Sequence, residues 1–370
     1  MGRMKFESMD KRMDEKQFIS DFLKEMISLP GISGHESDIS KKIGEVWQPL
    51  TDQIQLSAIG NLYGIKKASA KNGTEPARRV MMAVHMDGIG MVVERLAGDV
   101  LYFAQIGGFD PRILPGQQVL IHTETGEVPG VIAQLAPHLL SKPFDGKPVP
   151  LDQLVIDTGM TADELKEAVH PGDIISYANL PFELPGGCIA GHSLDNRASV
   201  AAVTQCLAEL QRFNHSWDVY AVGTTQEETT FLSGTTVFDV KPDIAIVIDV
   251  TFAKGPGVDG YRVKALDSGP SIGFGANIHP ALYRQFKALA EQLDMPYTLD
   301  PLPSMSGTDA VPIQTAFGGV PTCVLSIPLR YMHTPVEVIA LKDVMRVGHL
   351  MAEFIARLDD SSLAQLVWED

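Results

Sequence analysis

Five places in the sequence put a histidine or a carboxylate at, or just beyond, the end of an apolar run: His85 and Asp87 in VHMDG, Asp195 in HSLDNR, Glu227 and Glu228 in TTQEET, Asp249 in IVIDVT, and His333 in RYMHT. Three of these runs have the pattern of strands buried on both faces, and in an open α/β sheet the C-terminal ends of such strands share one edge. A single Asp at a strand end is ordinarily a turn or a helix cap. Two histidines and several acids converging on one edge match instead the needs of two divalent ions: a bridging carboxylate, a terminal histidine and a terminal carboxylate on each ion, and an open position for a shared water. Two histidines and three carboxylates fill that inventory, which leaves Asp87 and Glu227. Asp87 stands two residues from His85, the same-face spacing of an extended chain, and is expected to accept the second imidazole N–H and fix its tautomer. Glu227 adjoins Glu228, from where it can take a proton from the attacking water and return it to a leaving amine. Oxygen and imidazole donors without sulfur suit Zn, Co or Mn.

Elements that would position these groups are legible along the chain. Apolar spacing predicts a helix over Gln17–Leu29, ended by Pro30-Gly31, and Ser33 with Glu36 reads as a capping box opening a second helix to about Trp47. Gln53–Ser57 and Leu62–Lys66 read as a strand pair around Gly60-Asn61, and Arg79–His85 as a strand buried on both faces, with Met81 and Met82 as core. From Val92 to Pro185 short β-rich runs separated by Gly, Pro and Asp predict a small barrel or sandwich, its helix signal confined to Ala162–Ala168. Alternation then resumes: helix Asn196–Phe213, strand Trp217–Thr225, helix from Gly234, strand Ile244–Val250, helix Pro280–Leu293 and strand Pro321–Ser326. A terminal helix is expected from Pro335, opened by a second capping box from Thr334 to Glu337. The expected architecture is α/β, a mixed sheet flanked by helices with an inserted small β-barrel. The catalytic domain would run over 1–91 and 187–370, interrupted by 92–186.

Composition narrows the classes further. In 370 residues, 46 Asp and Glu against 30 Lys and Arg give a formal charge of -16, the wrong sign for a phosphate-tracking surface, so no nucleic-acid partner is expected. Hydrophobic residues at 45 % and charged residues at 21 % support a sizeable core. No stretch approaches the apolar length of a membrane span. The densely charged first sixteen residues lack a signal-peptide core, and Phe6 stands where a myristoylation motif wants Ser or Thr. Cys188, Cys206 and Cys323 are odd in number and lack CxxC spacing, which points away from a disulfide framework and toward a reducing cytoplasm.

The chain resembles the dinuclear metallo-aminopeptidases that include glutamyl and deblocking aminopeptidases and the tetrahedral, dodecameric TET peptidases, some of them labelled cellulases. The resemblance runs over nearly the full length, through Pro30–Glu36, Gly60-Asn61, His85-Met86-Asp87, Gly130–His138, Leu194–Arg197, Glu227-Glu228, Asp249-Val250-Thr251, Gly307–Ala310 and Arg330–His333. It implies that Asp195 bridges two divalent ions, that His85 and Asp249 complete one site and Glu228 and His333 the other, and that Glu227 is general base to a metal-bridged water, with Asp87 supporting His85. It also implies that the inserted segment pairs chains into dimers, the building block of a homo-oligomer as large as a dodecamer, and that the substrate is a peptide cleaved at its N-terminus. Two positions depart from the family pattern. Gly88 stands where a third acid is usual, and Thr229–Gly234 replaces a Val-Gly followed by Arg-Gly-Ala. Asp309 is expected beside the ligands rather than among them, and Arg330 to hold a carbonyl or carboxylate. His192 is the one other histidine close in sequence to a ligand. Competing readings keep the metals but change the substrate, as in a deacylase or carboxypeptidase of amino-blocked peptides, or replace the chemistry with glycoside hydrolysis. The last is a non-catalytic scaffold with a vestigial site.

Overall fold

A computed structural model describes residues 11–69, 77–139 and 147–368; most of the charged opening, Phe6 included, lies outside the described residues. Two helices come first, α1 (Lys11–Met26) and α2 (Ser37–Trp47), followed by β1 (Gln53–Leu56), β2 (Leu62–Lys66) and β3 (Arg79–His85). In α2, Ile39, Ile43 and Trp47 form an i, i+4 stripe that is fully buried, and the Trp47 indole donates to Thr204 at 2.8 Å. Met81 and Met82 are buried in the core, as their strand pattern requires.

The chain then leaves the sheet for a closed six-stranded barrel made of β4 (Gly90–Ala97), β5 (Val100–Ile106), β6 (Gln118–Thr123), β7 (Gly126–Ala133), β8 (Val155–Asp157) and β9 (Ile174–Tyr177), with α3 (Ala162–Ala168) between the last two. Inward residues such as Met91, Phe103, Val119, Ile121, Ile156 and Ile175 give it a core separate from that of the sheet. The predicted insertion, 92–186, also takes in β10 (Phe182–Leu184), which pairs instead with β11 (Cys188–Gly191) in the large sheet.

The rest follows as α4 (Leu194–Glu209), β12 (Asp218–Thr224), α5 (Glu227–Thr230), α6 (Gly234–Val240), β13 (Ile244–Phe252), β14 (Ser271–Gly275), α7 (Pro280–Gln292), β15 (Thr298–Leu302), α8 (Ala310–Thr315), β16 (Thr322–Arg330), β17 (Glu337–Ala340) and α9 (Leu341–Ala356). The sheet order is β1-β2-β12-β3-β13-β16-β17-β11-β10, with β14 and β15 attached at β16. Strands β12, β3, β13 and β16 are mutually parallel, while β11 reaches the same direction through the antiparallel β17. All five therefore end at one edge of the sheet. Helices α4 and α9 cover the sheet with apolar faces, so the central strands read as nearly continuous buried runs. Among the described residues no helix is long and apolar enough to cross a membrane.

Both predicted capping boxes are absent, and their residues do other work. The Ser33 hydroxyl meets the Thr229 hydroxyl at 2.8 Å, and Glu36 accepts the N–H groups of Gly34 and Gln226 at 2.8 and 3.0 Å. After Thr334 the chain turns into β17, so α9 begins at Leu341 rather than Pro335, and Glu337 is a buried strand residue. Strand β16 also continues past Ser326 to Arg330. Its Pro328 is tolerated because β14 departs at Ser326 and β17 joins only at Leu329, leaving that flank without a ladder bond to supply.

Candidate metal centre

The shared C-terminal edge brings the chemistry-bearing residues together. His85 ends β3, Asp195 follows β11, Glu227 and Glu228 follow β12, Asp249 lies within β13, and His333 follows β16. Their donor atoms fall into two groups, His85 with Glu227 and Asp249, and Asp195 with Glu228 and His333, each spanning no more than 4.8 Å. Asp195 joins the groups: its Oδ1 is 3.3 Å from His85 Nε2 and its Oδ2 is 3.4 Å from His333 Nε2. Around His85 Nε2 stand Asp249 at 3.7 Å and Glu227 at 3.9 Å, while Glu228 lies 3.3 Å from His333 Nε2.

Backbone geometry at the edge is specialised. Ser193, Gln226, Tyr331 and His333 all adopt left-handed φ values of 55–60°, a conformation that costs a non-glycine residue of order 1 kcal/mol or more and persists where surrounding contacts hold it. The contacts are identifiable. The Asp87 carboxylate accepts the N–H groups of Glu227 and Glu228 at 3.1 and 3.2 Å, and Glu36 fixes Gln226 from the other side. Glu337, 1 % exposed, accepts the N–H of Asp195 at 3.1 Å and of His333 at 2.8 Å, tying the two segments that carry them. No motif of the sequence marked Glu337 for this part; the T-x-x-E spacing drew it into a helix cap instead.

The expected bond from His85 to Asp87 is differently made. His85 Nδ1 lies 3.1 Å from the Asp87 backbone carbonyl and 3.6 Å from its carboxylate, so the carbonyl accepts the ring N–H and leaves Nε2 facing the acids. Asp309 is buried beside the group; Thr224 donates to its Oδ2 at 2.5 Å, and among the described residues its Oδ1 has no hydrogen-bond partner. The Arg330 guanidinium holds the Lys254 carbonyl at 2.6 Å. Gly88 is closely packed: a Cβ there would stand 2.8 Å from the Ser193 hydroxyl and 3.2 Å from its Cβ, so a side chain enters only if Ser193 shifts. His192 is buried, with Nδ1 3.0 Å from the Ser193 hydroxyl, and points to none of the ligand atoms named here.

The electrostatics ask for positive charge at two points. Burial pushes Glu227 up to about 9, opposed by His85 and reinforced by Asp249 and Asp309, and burial also raises Glu228 and Asp249. Burial alone would lower both imidazoles, but the facing carboxylates carry His333 up to about 11 and His85 well above its ordinary value. Without cations, protons on the two rings are the charge available to the buried acids. An all-oxygen and imidazole donor set with excess negative charge, split into two groups by one carboxylate, fits a pair of divalent ions. Over it opens a cavity of about 590 Å³, lined by Phe252, Leu302, Met305 and Met332 and, from the barrel, by Gly108.

The chain is similar to known proteins over most of its length. The family model described as M42 glutamyl aminopeptidase matches residues 60–350. The chain is 34 % identical to a lysyl aminopeptidase of Pyrococcus furiosus over 331 residues, covering 88 % of this chain and 93 % of that one. Its structure is similar to a TET aminopeptidase from the marine sediment archaeon Thaumarchaeota archaeon SCGC AB-539-E09, with TM-score 0.87 and 27 % identity over 95 % of this chain and 99 % of that one. It is also similar to the Pyrococcus horikoshii TET1 peptidase, which can assemble into a tetrahedron or a large octahedral shell, with TM-score 0.79 and 28 % identity over 92 % and 100 % of the two chains.

Proposed function

Since this chain belongs to the M42 glutamyl aminopeptidase family and is an aminopeptidase hydrolase, we propose that it works with two divalent ions, Zn, Co or Mn, held by His85, Asp195, Asp249, Glu228 and His333. The observation that carries the reading is the Asp195 carboxylate, which turns one oxygen to each histidine. Such ions, when bound, polarise a scissile carbonyl and lower the pKa of water. Glu227 lies against His85 at the cavity floor, where its carboxylate takes the proton of the attacking water and delivers it to the leaving amine. Asp87 holds the Glu227 backbone, and the His85 ring is oriented by the Asp87 carbonyl.

The barrel is in this reading an inserted domain through which chains pair into dimers, the unit of a larger homo-oligomer; the shell formed by the Pyrococcus horikoshii relative supports it. Three free cysteines support a reducing, cytoplasmic location.

The test is a panel of aminoacyl chromogenic substrates with Zn, Co and Mn, alongside elemental analysis of the reconstituted protein. Close to two ions per chain and turnover of free-amine substrates are expected. Turnover confined to amino-blocked substrates would replace this reading with a deacylase, and no turnover with any metal or side chain would sink it.

A further inference from the structure

One carboxylate in the wall of the cavity is ion-paired to a lysine behind it, and no step of the reaction uses the pair. Asp300, on β15, lines the cavity, and its Oδ1 lies 3.6 Å from the ammonium of Lys264. Both residues are buried, 7 % and 5 % exposed. Lys264 is anchored against the end of the ligand-bearing strand β13: its N–H donates to the Phe252 carbonyl at 3.0 Å, and its carbonyl accepts the Lys254 N–H at 2.6 Å. The ammonium also donates to the Tyr261 carbonyl at 3.2 Å. The same cavity is lined by Phe252 and Met305, 57 % and 77 % exposed, and by Leu302 and Val324, with Arg262 and Ser304 as polar members.

A buried carboxylate that is not among the proposed ligands attracts a cationic side chain, because the low surrounding dielectric strengthens the pairing and an unpaired charge there is costly. In this chain the cation is already present. We propose that Lys264 fills from within the position that Asp300 would otherwise offer to a basic substrate residue, so that the pair sets the cavity for peptides whose N-terminal residue is large and apolar. Burying the leucine, methionine or phenylalanine side chain of a substrate against Phe252 and Met305 then supplies the binding. This inference rests on the aminopeptidase reading.

The experiment compares kcat/KM for leucyl, lysyl and glutamyl anilides in the wild type, Lys264→Met, Asp300→Asn and the double variant. The wild type is expected to favour the leucyl substrate. Lys264→Met should raise the lysyl-to-leucyl ratio by about tenfold or more, and adding Asp300→Asn should return it. Asp300→Asn alone leaves an unpaired ammonium and should raise the glutamyl-to-leucyl ratio, which carries the test if Lys264→Met does not fold. A wild type that prefers lysyl substrates, or ratios within about twofold of wild type in every folded variant, would overturn the proposal. So would a wild-type preference for glutamyl substrates, which would assign recognition to Arg262, exposed on the same cavity beside the Tyr261 ring. In each of those cases the enzyme still turns over, whereas inactivity on all three anilides, extended to the full metal and side-chain panel, is the failure of the aminopeptidase reading itself.

Discussion

The carboxylate of Asp87 accepts the backbone N–H of Glu227 at 3.1 Å, and so acts on the proposed base through the main chain rather than through a shared proton. Asp87→Ala would leave this N–H and that of Glu228 buried without a partner. The expected outcome is a loss of about 2 kcal/mol of stability and a fall in kcat of roughly 10–100-fold at saturating metal. Urea unfolding and steady-state kinetics on one preparation check it, and unchanged kcat would remove Asp87 from the positioning scheme.

Glu227→Gln keeps the shape of the side chain and removes its ability to carry a proton. Bound metal should stay near wild type, while kcat drops by about 10²–10⁴-fold. Normal turnover by this variant would mean that another group is the base.

Glu337 touches neither histidine ring but holds the amides of Asp195 and His333 together. Glu337→Ala should weaken metal affinity by about 10–100-fold, with kcat recovering once metal is in excess. Competition against a chelator of known affinity measures this. A kcat deficit that excess metal does not repair would point to a different role.

At Gly88 an added Cβ would meet the Ser193 hydroxyl at 2.8 Å. Gly88→Ala should therefore cost about 1–3 kcal/mol. Combining it with Ser193→Gly should restore most of the loss, since the second change removes the obstructing atoms and suits the left-handed φ of 55°. Equal stability of Gly88→Ala and wild type in thermal melts would show that the loop simply moves.

His192 supplies a pH dependence of stability. Burial, with Arg197 adding to it, holds its imidazole down at about 3. An unfolded chain titrates this ring near pH 6.5, so between about 6.5 and 3 the unfolded state binds the extra proton, and stability falls as pH falls by about 1.4 kcal/mol per unit from this group. Above pH 6.5 the contribution is complete and flat. His192→Gln should flatten the slope across that window in urea titrations at stepped pH, and an unchanged slope would show that the ring is protonated in the folded protein.

What was legible in the sequence follows from what repeats locally. His85 and Asp249 stand on strands whose buried runs are visible without a structure, and those runs gave the parallel centre of the sheet and the shared edge. The β-rich stretch with its single helix signal gave the barrel. The residues behind the proposed ligands were not legible, because their partners are distant: Glu36 meets Gln226, Ser33 meets Thr229, and Glu337 meets Asp195. Each also sits in a spacing with a common local meaning, and S-x-x-E or T-x-x-E reads as a helix cap unless the tertiary partner is known. The strand expected over Pro321–Ser326 runs on to Arg330, and Pro328 is accommodated there because of which neighbouring strands stop beside it, which no local pattern shows.

Arg197 is 1 % exposed, and its guanidinium donates to the carbonyls of Met26, Leu29, Gly31 and Met86. Three of those four acceptors precede residue 32, in a stretch that contributes none of the proposed ligands. A chain shortened past Gly31 would strand a buried cation behind the β11–α4 turn, at a cost of about 3–5 kcal/mol. The segment from Met26 to Gly31 is in effect the solvent of a single ion, and how far the protein can be trimmed is limited by that ion's coordination and by the buried Ile19, Phe22 and Leu23 before it, not by the reach of the proposed catalytic groups.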